Sequence, residues 1–126
     1  MPHILVIEDD LEFRDPLVKL LMNDGHTVTV AGDGVEALRL LKTMRPALII
    51  SDVLMPKMDG IETIMELSRS GNQVPIIAMS GGRRSVSADF NLASAKLMGV
   101  RATLSKPFSR ADLRDAITQA LATVPG

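Results

Sequence analysis

The sequence predicts an α/β domain built on a parallel sheet with helices on both faces. Two observations predict it. Short, unbroken apolar runs, typical of strands buried on both faces, alternate with amphipathic blocks whose apolar residues recur at helical spacing. Four of those runs also end in a group suited to handling phosphate: Ile4-Leu-Val-Ile-Glu8-Asp9-Asp10, Leu48-Ile-Ile-Ser-Asp52, Ile76-Ile-Ala-Met-Ser80 and Ala102-Thr-Leu-Ser-Lys106-Pro107. Successive β/α units lay their strands parallel through right-handed crossovers. Parallel neighbours would bring the four ends to one edge, the carboxyl edge where open α/β sheets bind ligands.

The elements follow in order. Ile4–Ile7 is the first strand. Phe13, Leu17, Leu20 and Leu21 form the inner stripe of a helix that Gly25 stops. Pro16 lies inside that helix and removes one backbone donor, which predicts a bend or a later start. Thr27–Ala31 is the second strand, and Gly32-Asp33-Gly34 is turn chemistry. Val35–Met44 reads as a helix with Leu38 and Leu41 inward; Pro46 ends the connection before a third strand over Ala47–Ile50. Met55–Gly60 is a loop, and Ile61, Ile64, Met65 and Ser68 line the next helix. After the turn Ser70-Gly71-Asn72 comes a fourth strand, Val74–Met79. The small, polar stretch Ser80–Ser87 precedes a helix over about 88–98, closed by Gly99. Ala102–Ser105 is the fifth strand. Ser109 and Asp112 then resemble a capping box, and Leu113, Ala116, Ile117, Ala120 and Leu121 form a clean helical stripe.

Composition narrows the classes. A chain of 126 residues with 46% apolar content suits a single domain over 1–126, with its core at about 3–122 and no second domain expected. Aromatics are 2% (Phe13, Phe90, Phe108), so aliphatic side chains fill the core, and the eight methionines read as filler. There is no cysteine, hence no disulfide framework or thiolate metal site, which fits a reducing cytoplasm. The start lacks the features of a signal peptide, and no apolar run approaches the roughly 18 residues of a membrane span. A net charge of -1 gives no general attraction to nucleic acid. His3 and His26 fall at strand starts, away from the acids, and carry no expected role.

The acids are the centre of the chemistry. Glu8, Asp9 and Asp52 on one edge would repel one another by several kcal/mol unless compensated. A hard divalent cation with oxygen ligands and retained waters, Mg²⁺, suits the group. Singly, each residue has a plainer explanation. Glu8-Asp9-Asp10 also reads as a solvated N-cap cluster, with Asp10 as the cap even if the other two bind metal. Asp52 alone could close an Asx turn, Ser80 could be structural, and Lys106 could be a surface lysine ahead of an X-Pro bond of the kind that adopts the cis form. Jointly they are the parts needed to move a phosphoryl group onto a carboxylate. Asp52 supplies the nucleophilic oxygen, a metal neutralises phosphate oxygens, Lys106 holds another oxygen as a point charge, and Ser80 donates a hydrogen bond.

These residues resemble the receiver domain of two-component response regulators. The similarity covers about residues 3–122. Ile4–Asp9, Ser51-Asp-Val-Leu-Met-Pro56, Met58-Asp-Gly60, Met79-Ser80-Gly81 and Ser105-Lys-Pro-Phe108 carry it, in that order. The resemblance implies a flavodoxin-like fold of five β/α units with strand order 2-1-3-4-5. It implies that Asp52 accepts phosphate from a phosphohistidine on a sensor histidine kinase or phosphotransfer protein. Asp9, Asp52 and the backbone carbonyl of Leu54 would ligate Mg²⁺, or Mn²⁺ in its place, with Glu8 acting through water. Ser80 and Lys106 take the family's hydroxyl and lysine roles, and Gly81 leaves the phosphoryl group room. The module would act on a downstream protein target and catalyse only its own phosphorylation and dephosphorylation.

The sequence departs from the pattern at the output side. The family often has Tyr or Phe three residues before the lysine, where this chain has Thr103. The stretch from Ser80 to Gly99 is longer than usual and carries Gly81-Gly82-Arg83-Arg84. Thr103, Arg83 and Arg84 are therefore the candidate output-face residues, with phosphorylation expected to draw Ser80 inward and reorder 81–87; a solvated loop is the plainer reading of the two arginines. Two other functions use similar parts. A Mg²⁺-dependent phosphatase with an Asp nucleophile usually carries a second Asp two residues on, where this chain has Leu54. A phosphorylation-independent interaction module would not need the full residue set. No Gly-x-Gly-x-x-Gly follows the first strand, which disfavours dinucleotide binding.

Overall fold

The computed structural model describes residues 2–52, 74–81 and 100–122, with the backbone alone at Ser80 and Gly81. The elements are β1 (His3–Ile7), α1 (Leu11–Asn23), β2 (Thr27–Ala31), α2 (Gly34–Leu40), β3 (Leu48–Asp52), β4 (Ile76–Gly81), β5 (Ala102–Lys106) and α3 (Arg110–Ala122). The strands make one parallel sheet in the order β2-β1-β3-β4-β5, the order the resemblance implies. The expected loop at 55–60, the turn at 70–72 and the helices at 61–68 and 88–98 lie outside the described residues.

Strand alternation decides how the sheet is covered, because successive side chains point to opposite faces. Ile4, Val6, Leu48, Ile50, Ile77, Met79 and Leu104 pack with Leu17 and Leu21 of α1 and Leu113 and Ile117 of α3. Leu5, Ile7, Ile49 and Ala78 pack on the other face with Ala37 of α2. β3 is buried along its whole length, as a central strand covered on both faces must be. None of the described helices is long and apolar enough to cross a membrane.

The ends of the elements follow local chemistry. Asp10 caps α1, its side chain accepting from the Glu12 N–H at 3.0 Å. The other end is a Schellman closure: Gly25 takes φ 93°, its N–H donates to the Met22 carbonyl at 3.0 Å, and the His26 N–H donates to the Leu21 carbonyl at 3.1 Å. Asp33 caps α2 by accepting from the Glu36 N–H at 2.8 Å. The capping box read from Ser109 and Asp112 is present at α3. The Asp112 N–H donates to Ser109 Oγ at 3.0 Å, and the Ser109 N–H donates to Asp112 Oδ2 at 3.2 Å.

Some boundaries differ from the sequence reading. α1 starts at Leu11, not after Pro16, and runs through the proline. Pro16 and Glu12, whose carbonyl loses its helical donor there, are both exposed, so water can serve that carbonyl. α2 stops at Leu40 instead of Met44. There the Thr43 and Met44 N–H groups and the Thr43 hydroxyl all converge on the Leu40 carbonyl, closing a turn. β3, β4 and β5 run to Asp52, Gly81 and Lys106, so these residues end their strands instead of following them. At the opposite edge the His3 ring ties β1 to β2: Nδ1 lies 2.7 Å from Thr27 Oγ1 and Nε2 lies 2.7 Å from Thr29 Oγ1.

Candidate functional site

Register brings the acids together. β1 and β3 are neighbours with Ile7 opposite Ser51, so Glu8, the next residue, falls level with Asp52. The strand order reverses between these two strands, where open α/β sheets form a crevice. The Glu8 N–H donates to the Ala31 carbonyl at 3.0 Å, extending the β1–β2 ladder by one bond and fixing the Glu8 backbone. Ser51 Oγ donates to the Asp52 carbonyl at 3.0 Å. One carboxylate oxygen from each of Glu8, Asp9 and Asp52 lies within 4.8 Å of the others. Glu8 is fully buried, Asp52 nearly so, and Asp9 partly exposed.

Lys106 reaches this cluster from the end of β5. Its ammonium donates to Glu8 Oε1 at 2.6 Å and lies 3.6 Å from Asp52 Oδ2. The sequence suggested a lysine waiting for phosphate; in the structure its nearest partner is Glu8. The Lys106–Pro107 bond is cis. The ammonium also sits 4.2 Å from the ring centroid of Phe13, which meets Phe108 edge-on at 5.4 Å. Phe13 is a site neighbour that sequence reasoning assigned only to the core. Its one signal was proximity: it stands four residues after Asp9 on the inner stripe of α1.

Burial, then the Asp52 charge, pushes the Glu8 carboxyl up to about 8, against the pull of Lys106. Among the described residues, the carboxylates of Glu8, Asp9 and Asp52 gather around the Lys106 ammonium. Glu8 Oε2 is buried with no hydrogen-bond partner among the described residues. An acidic, all-oxygen donor set with an unsatisfied buried oxygen suits a hard divalent cation.

Other sequence candidates are placed less fully. The β4 backbone sets Ser80 beside Ser105 and Gly81 beside Lys106, on the same carboxyl edge. Thr103 is half-buried in β5 and, with Phe108 and Asp112, borders an open groove of about 410 Å³. Leu54, Arg83 and Arg84 lie outside the described residues.

A family model of the response regulator receiver domain matches residues 4–118. The chain belongs to this family. Among its relatives, this receiver domain is 38% identical over 111 residues to the response regulator MprA of Mycobacterium ulcerans, covering 88% of the chain and 46% of MprA. The chain thus spans about half the length of the curated relatives it matches. Its fold superposes on the receiver domain of Francisella response regulator 1452 with a TM-score of 0.85 at 29% identity, covering 98% of this chain and 100% of that one. A second neighbour is the receiver domain of the sensor histidine kinase PA1611 from Pseudomonas aeruginosa, solved with a magnesium ion coordinated in its active site cleft. There the TM-score is 0.83 at 27% identity, covering 97% of this chain and 98% of that one. Receiver domains take part in two-component signalling with histidine kinases and bind Mg²⁺ in an acidic site. They are not, in general, conventional enzymes.

Proposed function

We propose that Asp52 is the phosphoacceptor of this receiver domain. The observation that carries the reading is the nearly buried Asp52 carboxylate, 3.6 Å from the Lys106 ammonium and clustered with Glu8 and Asp9. An Asp52 oxygen attacks phosphorus in line with the leaving group. The bond from phosphorus to the donor's imidazole nitrogen breaks, its electron pair stays on the nitrogen, and an acyl phosphate forms. Lys106 transfers part of its contact from Glu8 to a phosphoryl oxygen. The Ser80 hydroxyl donates to another, and Gly81 leaves room beside them. Asp9 and Asp52, the Leu54 carbonyl, and Glu8 through water would hold Mg²⁺ or Mn²⁺. When bound, that ion neutralises charge on the phosphoryl oxygens.

The donor is a sensor histidine kinase or phosphotransfer protein, and the readout is a change in a protein-binding face that includes Thr103, Arg83 and Arg84. Nucleic acid and membrane have no direct part in this reading. Residues 1–126 form one domain, working in the cytoplasm, and its only catalysis is its own phosphorylation and the later hydrolysis of the acyl phosphate. Incubation with phosphoramidate and Mg²⁺, followed by intact mass measurement, tests the acceptor. One phosphoryl group should add to the parent chain and none to Asp52→Asn; an adduct that persists in Asp52→Asn sinks the assignment. Backbone NMR shifts with and without beryllofluoride test the readout, which requires movement at 81–90.

A further inference from the structure

We propose that Phe13 is a positioning residue for Lys106, holding its ammonium over the reaction site through a cation–π contact; this rests on the phosphoacceptor reading of Asp52. The ammonium lies near two carboxylates, with Glu8 Oε1 at 2.6 Å and Asp52 Oδ2 at 3.6 Å. It also lies 4.2 Å from the Phe13 ring centroid, well inside the roughly 6 Å over which a ring face attracts a cation. An aliphatic side chain in that place would offer no such attraction. The lysine stem has several rotatable bonds, and the ring face limits where its charged end can rest.

The ring is itself braced. Phe108 meets it at 82° with centroids 5.4 Å apart, the edge-on arrangement aromatic pairs favour. Phe108 stands two residues after Lys106, so one short segment supplies both the cation and the brace. Phe13 stands in the first turn of α1, four residues after Asp9. Asp9 and the surface that steers the lysine are thus joined through the start of one helix. The ring contact is separate from the Glu8 hydrogen bond, so Lys106 can exchange Glu8 for a phosphoryl oxygen while staying over Phe13.

Phe13 also packs against the core, so the test must separate electrostatics from filling. Replacing Phe13 by mono-, di- and trifluorophenylalanine withdraws charge from the ring face while nearly keeping its shape. The rate of Asp52 phosphorylation by phosphoramidate at fixed Mg²⁺ should fall stepwise, about five-fold across the series, with an unchanged Tm. Phe13→Leu should match the trifluoro variant; if the leucine variant fails to fold, the fluorinated series decides alone. A flat rate along the series, with a normal adduct on Asp52, overturns the positioning role by itself. No adduct on the parent chain overturns the acceptor reading, and this role with it.

Discussion

Glu8 shows how one residue's surroundings set its chemistry. Burial and the Asp52 charge push its carboxyl up to about 8, although Lys106 pulls the other way. The unfolded value is about 4.3. A folded value above the unfolded one adds stability that is complete below about pH 4 and fades as the pH climbs toward about 8 in metal-free protein. A divalent cation needs the carboxylate form. Mg²⁺ affinity, measured by calorimetric titration, should therefore rise between about pH 6 and about pH 8, by at most about tenfold per pH unit for one released proton. Glu8→Gln should flatten that profile; an unchanged slope would assign the proton to another group. Glu8, Asp9, Asp52 and Lys106 were all legible because each closes an apolar run. The Glu8–Lys106 bond was not, since its partners are 98 residues apart and meet only through strand order and side-chain reach. Phe13 was hidden for the same reason: helical spacing says which face a ring is on, not which cation lies over it.

At the scale of elements, α1 and α3 are joined by charge as well as by core packing. Arg114 donates to Asp24 through Nε at 3.1 Å and Nη2 at 2.8 Å, and Arg110 adds a bond at 2.5 Å. The hydrogen bonds from Arg114 and then Arg110 hold the Asp24 carboxyl well below the usual carboxylate range. A depressed folded value gives stability that is present above the unfolded value of about 3.9 and is lost as the pH falls further. Both arginines are about half exposed, so salt should weaken the clasp. Asp24→Asn should flatten the acid limb of urea-unfolding stability below about pH 4, and an unaltered limb would show that other acids govern it. Ser109→Ala removes the acceptor of the Asp112 N–H and should cost about 1 kcal/mol by the same measurement. That cap was readable from the sequence, because a capping box depends on residues three apart. The start of α1 and the end of α2 were not, because exposure of Glu12 and the turn at Leu40 decide whether a helix tolerates Pro16 or continues to Met44.

Across the whole molecule the pattern of apolar runs announced a parallel sheet, and packing on both faces bears it out. Strand order was not in the runs themselves; it came with the resemblance. Stability should follow depth in the sheet. Ile50, fully buried in the central β3, should cost about 3 kcal/mol as Ile50→Ala. Val30, 37% exposed on the edge strand β2, should cost under about 1 kcal/mol as Val30→Ala. Mg²⁺ at about a hundred times its Kd should add about 2.7 kcal/mol; chelation should remove it, and Asp52→Asn should shrink the difference between the two melting curves. The other end of β1 behaves differently. His3 rests between the hydroxyls of Thr27 and Thr29, and a hydroxyl can donate or accept a hydrogen bond. β1 thus fastens itself to β2 at one end and delivers the acids of the site at the other.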